Sequence, residues 1–457
     1  MTAIADTVAA QRDYFRRGET RDPRFRYEML ERLRRLVADK EEAILAALRQ
    51  DLRKPEYEGY SSEVGIILDE LKYAKSHLAS WCRPRRVRTP LFDFPAKTVI
   101  HPEPYGTTAI LAPWNYPFQL LISPLIGALA AGNTAVVKPS ELAPATSELI
   151  AGLFDEAFPP EYLAVVTGEA DAAKELLDQP LDYIFFTGST RVGRLVMRAA
   201  AERLVPVTLE LGGKSPAVVD RDARLEVTAR RLAWGKFINA GQTCIAPDYV
   251  LAHREVVEPL LELLKNQIEA FYGTEPQQSP DYARIINESH FDRLIGLIDP
   301  DRVFVGGDHD RDKRYLAPTI LRDVAWDDPV MEEEIFGPLL PVLTFEALDE
   351  AIGRINERPR PLALYYFGET DSRIRRVIEG CPFGGGCVNE SVMHIVTPHA
   401  PFGGVGDSGM GAYHGRWSFD TFTHYKTVLT KSSRIDIKLR YPPYDAKKLR
   451  WTKRFMG

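Results

Sequence analysis

The side chains with the most chemistry to offer lie far apart in the chain. Cys244 sits in Phe237-Ile-Asn-Ala-Gly-Gln-Thr-Cys-Ile-Ala, past an apolar helical stretch and in the loop-like run Gly241-Gln242-Thr243. A thiolate there would be a strong nucleophile, able to add to a carbonyl and to carry an acyl group as a thioester. A buried core cysteine is the plainer alternative. No histidine stands near it in sequence to suggest a thiol–imidazole pair. Glu210 ends an apolar run over 207–211, just before Gly212-Gly213-Lys214. A carboxylate at such a strand end is costly to bury, so it reads either as a site base or as the partner of Lys214. Asn115, in Ala112-Pro-Trp-Asn-Tyr-Pro117, offers an amide N–H donor or, equally, a turn-forming side chain.

Two glycine-rich segments compete as phosphate loops. Gly404-Val-Gly406-Asp-Ser-Gly409 matches G-x-G-x-x-G, but that pattern carries meaning only between a strand and a helix, and neither is predicted there. Gly188-Ser-Thr-Arg-Val-Gly193 follows the apolar run 183–186 and opens a helix over 192–201. Backbone N–H groups and the positive helix end would favour a pyrophosphate, although a plain strand-to-helix turn has the same composition. Lys138-Pro-Ser-Glu141 brings a cation and a carboxylate to another strand end, suited to ribose hydroxyls. Glu334 is one of three acids in Met331-Glu-Glu-Glu-Ile-Phe-Gly-Pro338, where a solvated acidic face is the default.

These positions need a frame. Residues 6–82 carry amphipathic helical spacing, for example over 24–50 and 61–81. Pro84, Pro90, Pro95, Pro102 and Pro104 end that periodicity, and 83–104 reads as extended, edge-like strand. Short apolar strands over 107–111, 134–138, 163–167, 183–186 and 207–211 then alternate with helices over 118–131, 145–158, 170–177 and 192–201. Such alternation predicts a doubly wound parallel α/β sheet with its ligand at the carboxyl ends of the strands. A second alternation runs from 217 to about 387.

Composition narrows the classes. The 457 residues are 45% hydrophobic and 27% charged, enough for two or three domains with large cores. Net charge −6 argues against nucleic acid as a partner. Four cysteines exclude a disulfide framework, no His/Cys/Asp cluster has metal-ligand spacing, and no secretory leader or membrane-length apolar run is evident, so a cytoplasmic enzyme is expected.

Taken in order, Ala112-Pro-Trp-Asn-Tyr-Pro, Val137-Lys-Pro-Ser-Glu, Phe186-Thr-Gly-Ser-Thr, Leu209-Glu-Leu-Gly-Gly-Lys, Asn239-Ala-Gly-Gln-Thr-Cys, Glu333-Glu-Ile-Phe-Gly-Pro and Pro401-Phe-Gly-Gly-Val-Gly resemble the aldehyde dehydrogenase superfamily. Cys244-Ile-Ala-Pro-Asp-Tyr, Gly409-Met-Gly-Ala-Tyr-His-Gly and the short N-terminus resemble its class 3 branch, which includes fatty aldehyde dehydrogenases. The resemblance implies a Rossmann-type cofactor domain (1–82 and 105–211), an α/β catalytic domain (212–415), a small β oligomerisation element (83–104 and 416–435) and a homodimer. It implies oxidation of a medium- or long-chain aliphatic or an aromatic aldehyde to the acid with NAD, and with NADP as a second cofactor. Cys244 would be the nucleophile, Asn115 and the Cys244 N–H the oxyanion hole, and Glu210 the general base. Lys138 and Glu141 would hold the adenosine ribose, Gly188 and Ser189 the pyrophosphate, and Glu334 with Phe336 the nicotinamide end. Trp114, Ser140, Gly168, Gly193, Leu211 and Gly212 complete the implied cofactor contacts.

Three other readings compete. A coenzyme-A-acylating enzyme would have little use for a base aimed at water. A non-catalytic protein on the same fold would be expected to lose Cys244, Glu210 or Asn115. A thiol hydrolase leaves Lys138 and Gly188–Gly193 unexplained. Finally, residues 431–457 hold nine Lys or Arg against two Asp, with Tyr441, Tyr444, Trp451 and Phe455 interleaved. This basic tail, 436–457, reads as an arm packed on the body or across a dimer, or as a device for anionic membranes.

Overall fold

The computed structural model describes residues 3–456, with side chains as far as residue 454; Phe455 of the tail therefore lies outside the described side chains. The N-terminal part is helical: Ile4–Arg17, Pro23–Asp39, Glu41–Leu52 and Gly65–Trp81. The predicted stretch over 24–50 is broken at Lys40 into two helices. Asp22 caps the first by accepting the Arg24 N–H at 2.9 Å, with Pro23 at its first position, where a missing N–H costs nothing. Its apolar stripe Met29, Leu30, Leu33 and Val37 faces the core.

The first sheet has the order Gly409–Met410, Val207–Glu210, Tyr183–Thr187, Thr107–Leu111, Thr134–Lys138, Leu163–Val165. All neighbours are parallel except Gly409–Met410, which runs antiparallel against Val207–Glu210. The chain enters at Thr107–Leu111, builds outward on one side and then returns to build on the other. The strand order therefore reverses between Thr107–Leu111 and Tyr183–Thr187, the place where a doubly wound sheet opens its crevice. Helix Gln119–Ala131 is buried along its whole length, apolar apart from Gln119 and Ser123 in its first two turns, and Gly132 at φ +93° ends it.

The second sheet has the order Val303–Val305, Thr319–Leu321, Leu339–Phe345, Tyr249–His253, Pro216–Val219, Ala363–Phe367, Gly385–Val388, parallel apart from its first strand. A third, antiparallel sheet is formed by Arg85–Val87, Ala96–Pro104 and Thr423–Lys431. Here Ala96–Pro104 is central rather than an edge. Its prolines survive because Arg85–Val87 pairs only with Thr98 to Ile100, which leaves Pro102 and Pro104 with one neighbouring strand. The tail forms a helix, Ala446–Met456, that packs against the turns Lys438–Arg440 and Leu91–Asp93 of its own chain. Among the described residues no helix is long and apolar enough to cross a membrane.

Candidate active site

Cys244 follows a backbone that few sequences adopt. Asn239 (φ +52°), Ala240 (φ +51°) and Gly241 (φ +74°) are three successive left-handed residues. For the two that carry a Cβ this costs of order 1–3 kcal/mol each. Gly241 has a second reason to be glycine: a Cβ there would stand 2.3 Å from the Gly337 carbonyl. The strained turn is held from below. Glu58 accepts the Asn239 N–H at 3.0 Å, and Gln242 binds the Asn239 carbonyl (3.0 Å), the Arg284 carbonyl (2.9 Å) and the Ile286 N–H (3.0 Å).

Asn115 reaches this turn from the first sheet. Its Nδ2 donates to the Gln242 carbonyl at 3.0 Å, which leaves its second amide hydrogen free for another acceptor. Its own carbonyl accepts from Asn239 Nδ2 (2.8 Å) and Lys54 Nζ (3.2 Å). Tyr116 Oη and Thr243 Oγ1 are 2.7 Å apart. The segments around residues 115 and 242, over a hundred positions apart, are thus knit together.

Glu210 is buried at the end of Val207–Glu210, and among the described residues neither carboxylate oxygen has a hydrogen-bond partner. Lys214, its alternative partner, instead binds Asp248 at 2.6 Å. Burial therefore pushes the Glu210 carboxyl well above the usual carboxylate range. The Cys244 thiol is pushed up as well, first by burial, then by the charges of Glu334 and Glu210; the backbone N–H groups of Cys244 and Ile245 act the other way. No histidine accompanies Cys244. The thiol beside an imidazole is Cys387, with Sγ 3.6 Å from His394 Nδ1.

The cofactor-class residues line the crevice between strand ends. Gly188 lies so close to Phe186 that a Cβ would come within 2.5 Å of its ring. Ser189 caps helix Thr190–Ala201, and Gly193 packs on Leu211, where a Cβ would clash at 2.6 Å. Thr187 Oγ1 is buried there without a partner. An orphaned hydroxyl, a bare glycine and a helix N-terminus at the sheet's switch point fit a dinucleotide pyrophosphate. Lys138 Nζ lies 3.2 Å from Glu141 at the next strand end. Ser140 is less suited to a ligand: its Oγ accepts the Leu142 N–H at 3.3 Å, shaping the turn. Gly168 takes φ +128° and abuts Ala172. Gly404–Gly409 has no helix behind it; the next is Arg416–Thr421.

At the other end of the crevice Glu334 is not part of a solvated face. Glu332 and Glu333 are exposed, whereas the Glu334 carboxylate lies over Gly212, where a Cβ would stand 2.0 Å from Oε2. Burial and Asp248 push Glu334 up to about 8, against the Gly213 N–H, Lys214 and Arg293. Phe336 (φ +51°) meets Trp114 edge-on at 5.3 Å, and Trp114 also packs on His290 at 4.9 Å. Sequence reasoning missed Lys54, in the turn after helix Glu41–Leu52, and Glu58, Glu63, Thr187 and Lys236, within helices or a strand. Thr187 alone had a signal, being next to Gly188 at a strand end. Among the described residues no group of three or more potential metal ligands occurs.

This arrangement belongs with known proteins. The aldehyde dehydrogenase family model matches residues 2–428. A 4,4'-diaponeurosporen-aldehyde dehydrogenase of Staphylococcus aureus is 48% identical over 98% of each chain. Mouse aldehyde dehydrogenase family 3 member A2 is 47% identical over 98% of this chain and 93% of its own, and a mouse "dimeric NADP-preferring" aldehyde dehydrogenase is 46% identical over 98% and 99%. A substrate-bound S. aureus AldH structure superposes with a TM-score of 0.98 at 47% identity, covering all of both chains. The chain belongs to the aldehyde dehydrogenase family. It is an oxidoreductase of aldehydes with NAD as cofactor, and its fold is that of the family, as the resemblance implied.

Proposed function

We propose that the chain oxidises a long or aromatic, apolar aldehyde through a thioester on Cys244. The observation that carries this reading is the joining of Asn115 to the strained Cys244 turn, with an unpaired buried carboxyl at Glu210 close enough for its charge to act on the thiol. Cys244 sulfur adds to the carbonyl carbon. The developing oxyanion takes the free amide hydrogen of Asn115 and the backbone N–H of Cys244. A bound dinucleotide supplies the acceptor for the hydride that leaves the former carbonyl carbon; Gly188, Ser189 and Thr187 would hold its pyrophosphate, Lys138 and Glu141 its adenosine ribose, and Glu334 and Phe336 its nicotinamide end. Trp114, Gly168, Gly193, Leu211 and Gly212 would shape the crevice. Glu210 then takes a proton from water as the water adds to the thioester, and Cys244 leaves as thiolate. A carboxyl whose proton affinity is raised by burial is a better base than a solvated one. That base also argues against acyl transfer to coenzyme A.

The apolar substrate class is supported by exposed Tyr57 and Tyr60 beside Glu58, and by Met393 and Val396. The latter pair follow Ser391, which bonds to helix Leu225–Phe237 leading into the Cys244 turn. The relative that acts on a diaponeurosporen-aldehyde agrees with it. In Cys244→Ala no acid should form while cofactor binding stays near wild type. Glu210→Gln should give a burst of reduced cofactor and then stall, slowing turnover about 10²–10⁴-fold. Free acid rather than acyl-CoA should form when coenzyme A is added. Turnover by Cys244→Ala would end the reading. The NADP-preferring relative supports use of both cofactors; inactivity with NADP would refute it.

The same reading divides the chain into the cofactor (1–82, 105–211), catalytic (212–415) and oligomerisation (83–104, 416–435) parts. Strand Thr423–Lys431 is an edge of its sheet and exposes Tyr425, Val428 and Leu429, which supports a homodimer, as does the relative named as dimeric. Sedimentation at the monomer mass would exclude it. The tail helix leaves Leu449 and Trp451 exposed among basic residues, which supports peripheral contact with anionic bilayers. Full-length protein should then pellet with anionic vesicles at low salt more than a chain ending at Tyr441; equal pelleting rejects that contact.

A further inference from the structure

Behind Glu210 the interior is polar, and much of it is unsatisfied. Glu210 Oε1 lies 3.1 Å from where a Cβ on Gly403 would stand, and the same position is 3.0 Å from Ala412 Cα. The carboxyl therefore rests against the short ladder in which Phe402 and Tyr413 exchange both backbone hydrogen bonds, at 3.0 and 2.8 Å. The Tyr413 ring is fixed edge-on between Phe185 (5.2 Å) and Phe402 (5.8 Å). Its Oη is buried and faces Gln119 Nε2, yet neither atom is in hydrogen-bonding geometry with any partner. Gln119 opens helix Gln119–Ala131, and Ser123, one turn on along the same face, donates to Glu70 Oε2 at 2.5 Å. Glu70 Oε1 and the neighbouring His414 Nε2 are buried and unpaired too.

Most buried polar groups are paired, although here Gln11, Thr20 and Tyr162 also keep an unpaired atom away from the site. Among the described residues Glu210, Tyr413, Gln119 and Glu70 each hold an atom outside hydrogen-bonding geometry, and Tyr413 feels the charges of both Glu210 and Glu70. Among the described residues no cation faces either carboxyl: Glu70 meets Ser123, the Gly415 N–H, the Ser418 hydroxyl and the charge of Asp69, and Glu210 stands near Cys244 and Tyr413. His414 and His394 are both held neutral by burial. Burial brings Glu70 to about 7 and lifts Glu210 above its ordinary range, so the two ends have proton affinities displaced in the same direction.

We propose that Tyr413, held by Gln119, and Glu70 form the route by which the proton taken by Glu210 leaves the active site during thioester hydrolysis. The proposal rests on Glu210 as the base. Water adds its hydroxyl to the thioester carbonyl and gives its proton to the Glu210 carboxylate. The acid so formed passes a proton through water to Tyr413 Oη, whose own hydroxyl proton moves on toward the Glu70 carboxylate. Glu210 is again ionised, Glu70 is neutral until it releases the proton to solvent, and no electrons change hands. The Gln119 amide N–H orients the chain but carries nothing, since an amide cannot give up its proton.

The test is quenched-flow mass spectrometry of the acyl-enzyme with hexanal and NAD, in water and in deuterium oxide. Tyr413→Phe keeps both ring contacts and should give a wild-type burst of reduced cofactor. Its acyl-enzyme should then decay about tenfold or more slowly, with a larger solvent isotope effect. Gln119→Met should slow decay less. Glu70→Gln should slow it chiefly above pH 7 and remove the titration of the decay rate near that pH. A normal burst followed by wild-type decay in Tyr413→Phe, with Glu210→Gln stalled, overturns the route and leaves the base in place. Wild-type decay in Glu210→Gln itself overturns the reading of the site. Loss of the burst in Tyr413→Phe places that residue in acylation and also overturns the route.

Discussion

Two buried lysines flank the active site and are treated in opposite ways by the fold. Lys54, behind the Asn115 turn, pairs with Glu63 at 2.5 Å with both side chains fully buried, donates to the Asn115 carbonyl and sits 4.0 Å from the centre of the Tyr116 ring. Glu63 uses its other oxygen to accept the Phe118 and Gln119 N–H groups at 2.9 and 3.1 Å, at the start of helix Gln119–Ala131. Lys236, on the catalytic side, is equally buried, yet its Nζ has no hydrogen-bond partner, and burial lowers it to about 8. Glu210, Thr187 and Tyr413 share that unpaired state. Saturated polar groups hold a geometry. The unsaturated groups Thr187 and Glu210 stand side by side at the ends of adjacent strands of the first sheet. The active site is assembled where these two kinds of interior meet, with Asn115 belonging to both.

The sharpest way to break that comparison is to cut the saturated side. Lys54→Met should strand Glu63 as an uncompensated buried charge and cost about 3–5 kcal/mol of stability. It should also loosen Asn115, so activity should fall even where the protein is still folded. Urea unfolding of the variant checks it, and a loss under about 1 kcal/mol would show that the pair holds nothing in place.

Next comes the residue shared by both sides. Asn115→Ala removes a proposed oxyanion donor and should lower kcat by about 10²–10³, or about 2.7–4 kcal/mol. Asn115→Asp keeps the shape but loses every Nδ2 hydrogen bond, including the tie to the Gln242 carbonyl, so it separates the amide's hydrogen bonding from its packing. Equal losses in both variants would point to the donor; a mild loss in Asn115→Asp would point to packing.

The unsaturated half of the interior was the more legible in the sequence. Cys244, Glu210, Asn115 and Gly188 lie at strand ends or in turns, where glycine, proline and a change of hydrophobic period announce an exposed functional position. Two bland alternatives gave way to geometry: Lys214 binds Asp248 rather than Glu210, and Glu334 turns inward while Glu332 and Glu333 stay exposed. The five parallel strands were legible because buried strands read as short apolar runs. Lys54, Glu58, Glu63 and Glu70 were not. They stand in a charge-rich helical region where local pattern assigns such residues to solvent, and only contacts with positions 115–123 and 239 make them interior. The left-handed backbone at Asn239 and Ala240 was equally hidden, since neither residue type demands it.

A smaller effect sharpens the contrast through pH. Glu70 is held at about 7 by burial, whereas in the unfolded chain it titrates near 4.5. Between those values the folded chain keeps a proton that the unfolded chain has lost, so this group's contribution to stability falls as pH rises through that window and is constant above it. Glu70→Gln removes the dependence. Relative to wild type the variant should gain of order 2 kcal/mol between pH 5 and pH 8. Urea unfolding of both proteins at several pH values measures it, and parallel curves would mean that Glu70 is ionised in the fold.

The smallest effect is the most diagnostic, because it repeats the first substitution on the other lysine. Lys236→Met removes a cation that makes no hydrogen bond, from a site whose nearest carboxylate is already served. Asp248 holds Lys214 at 2.6 Å and accepts the Ile335 N–H at 3.0 Å, so it is not orphaned when Lys236 goes. A methionine of similar length fills the same space and brings no charge to desolvate. Stability should therefore stay within about 1 kcal/mol of wild type or rise, in contrast to the loss expected for Lys54→Met. What should change is Glu334, since Lys236 is among the charges near it. With that cation gone its carboxyl should titrate still higher, and the apparent affinity for NAD should weaken mainly around pH 8, where wild-type Lys236 still holds part of its charge. A stability loss as large as that of Lys54→Met would show that Lys236 is paired in the working protein, and that the division between saturated and unsaturated interior does not hold at this residue.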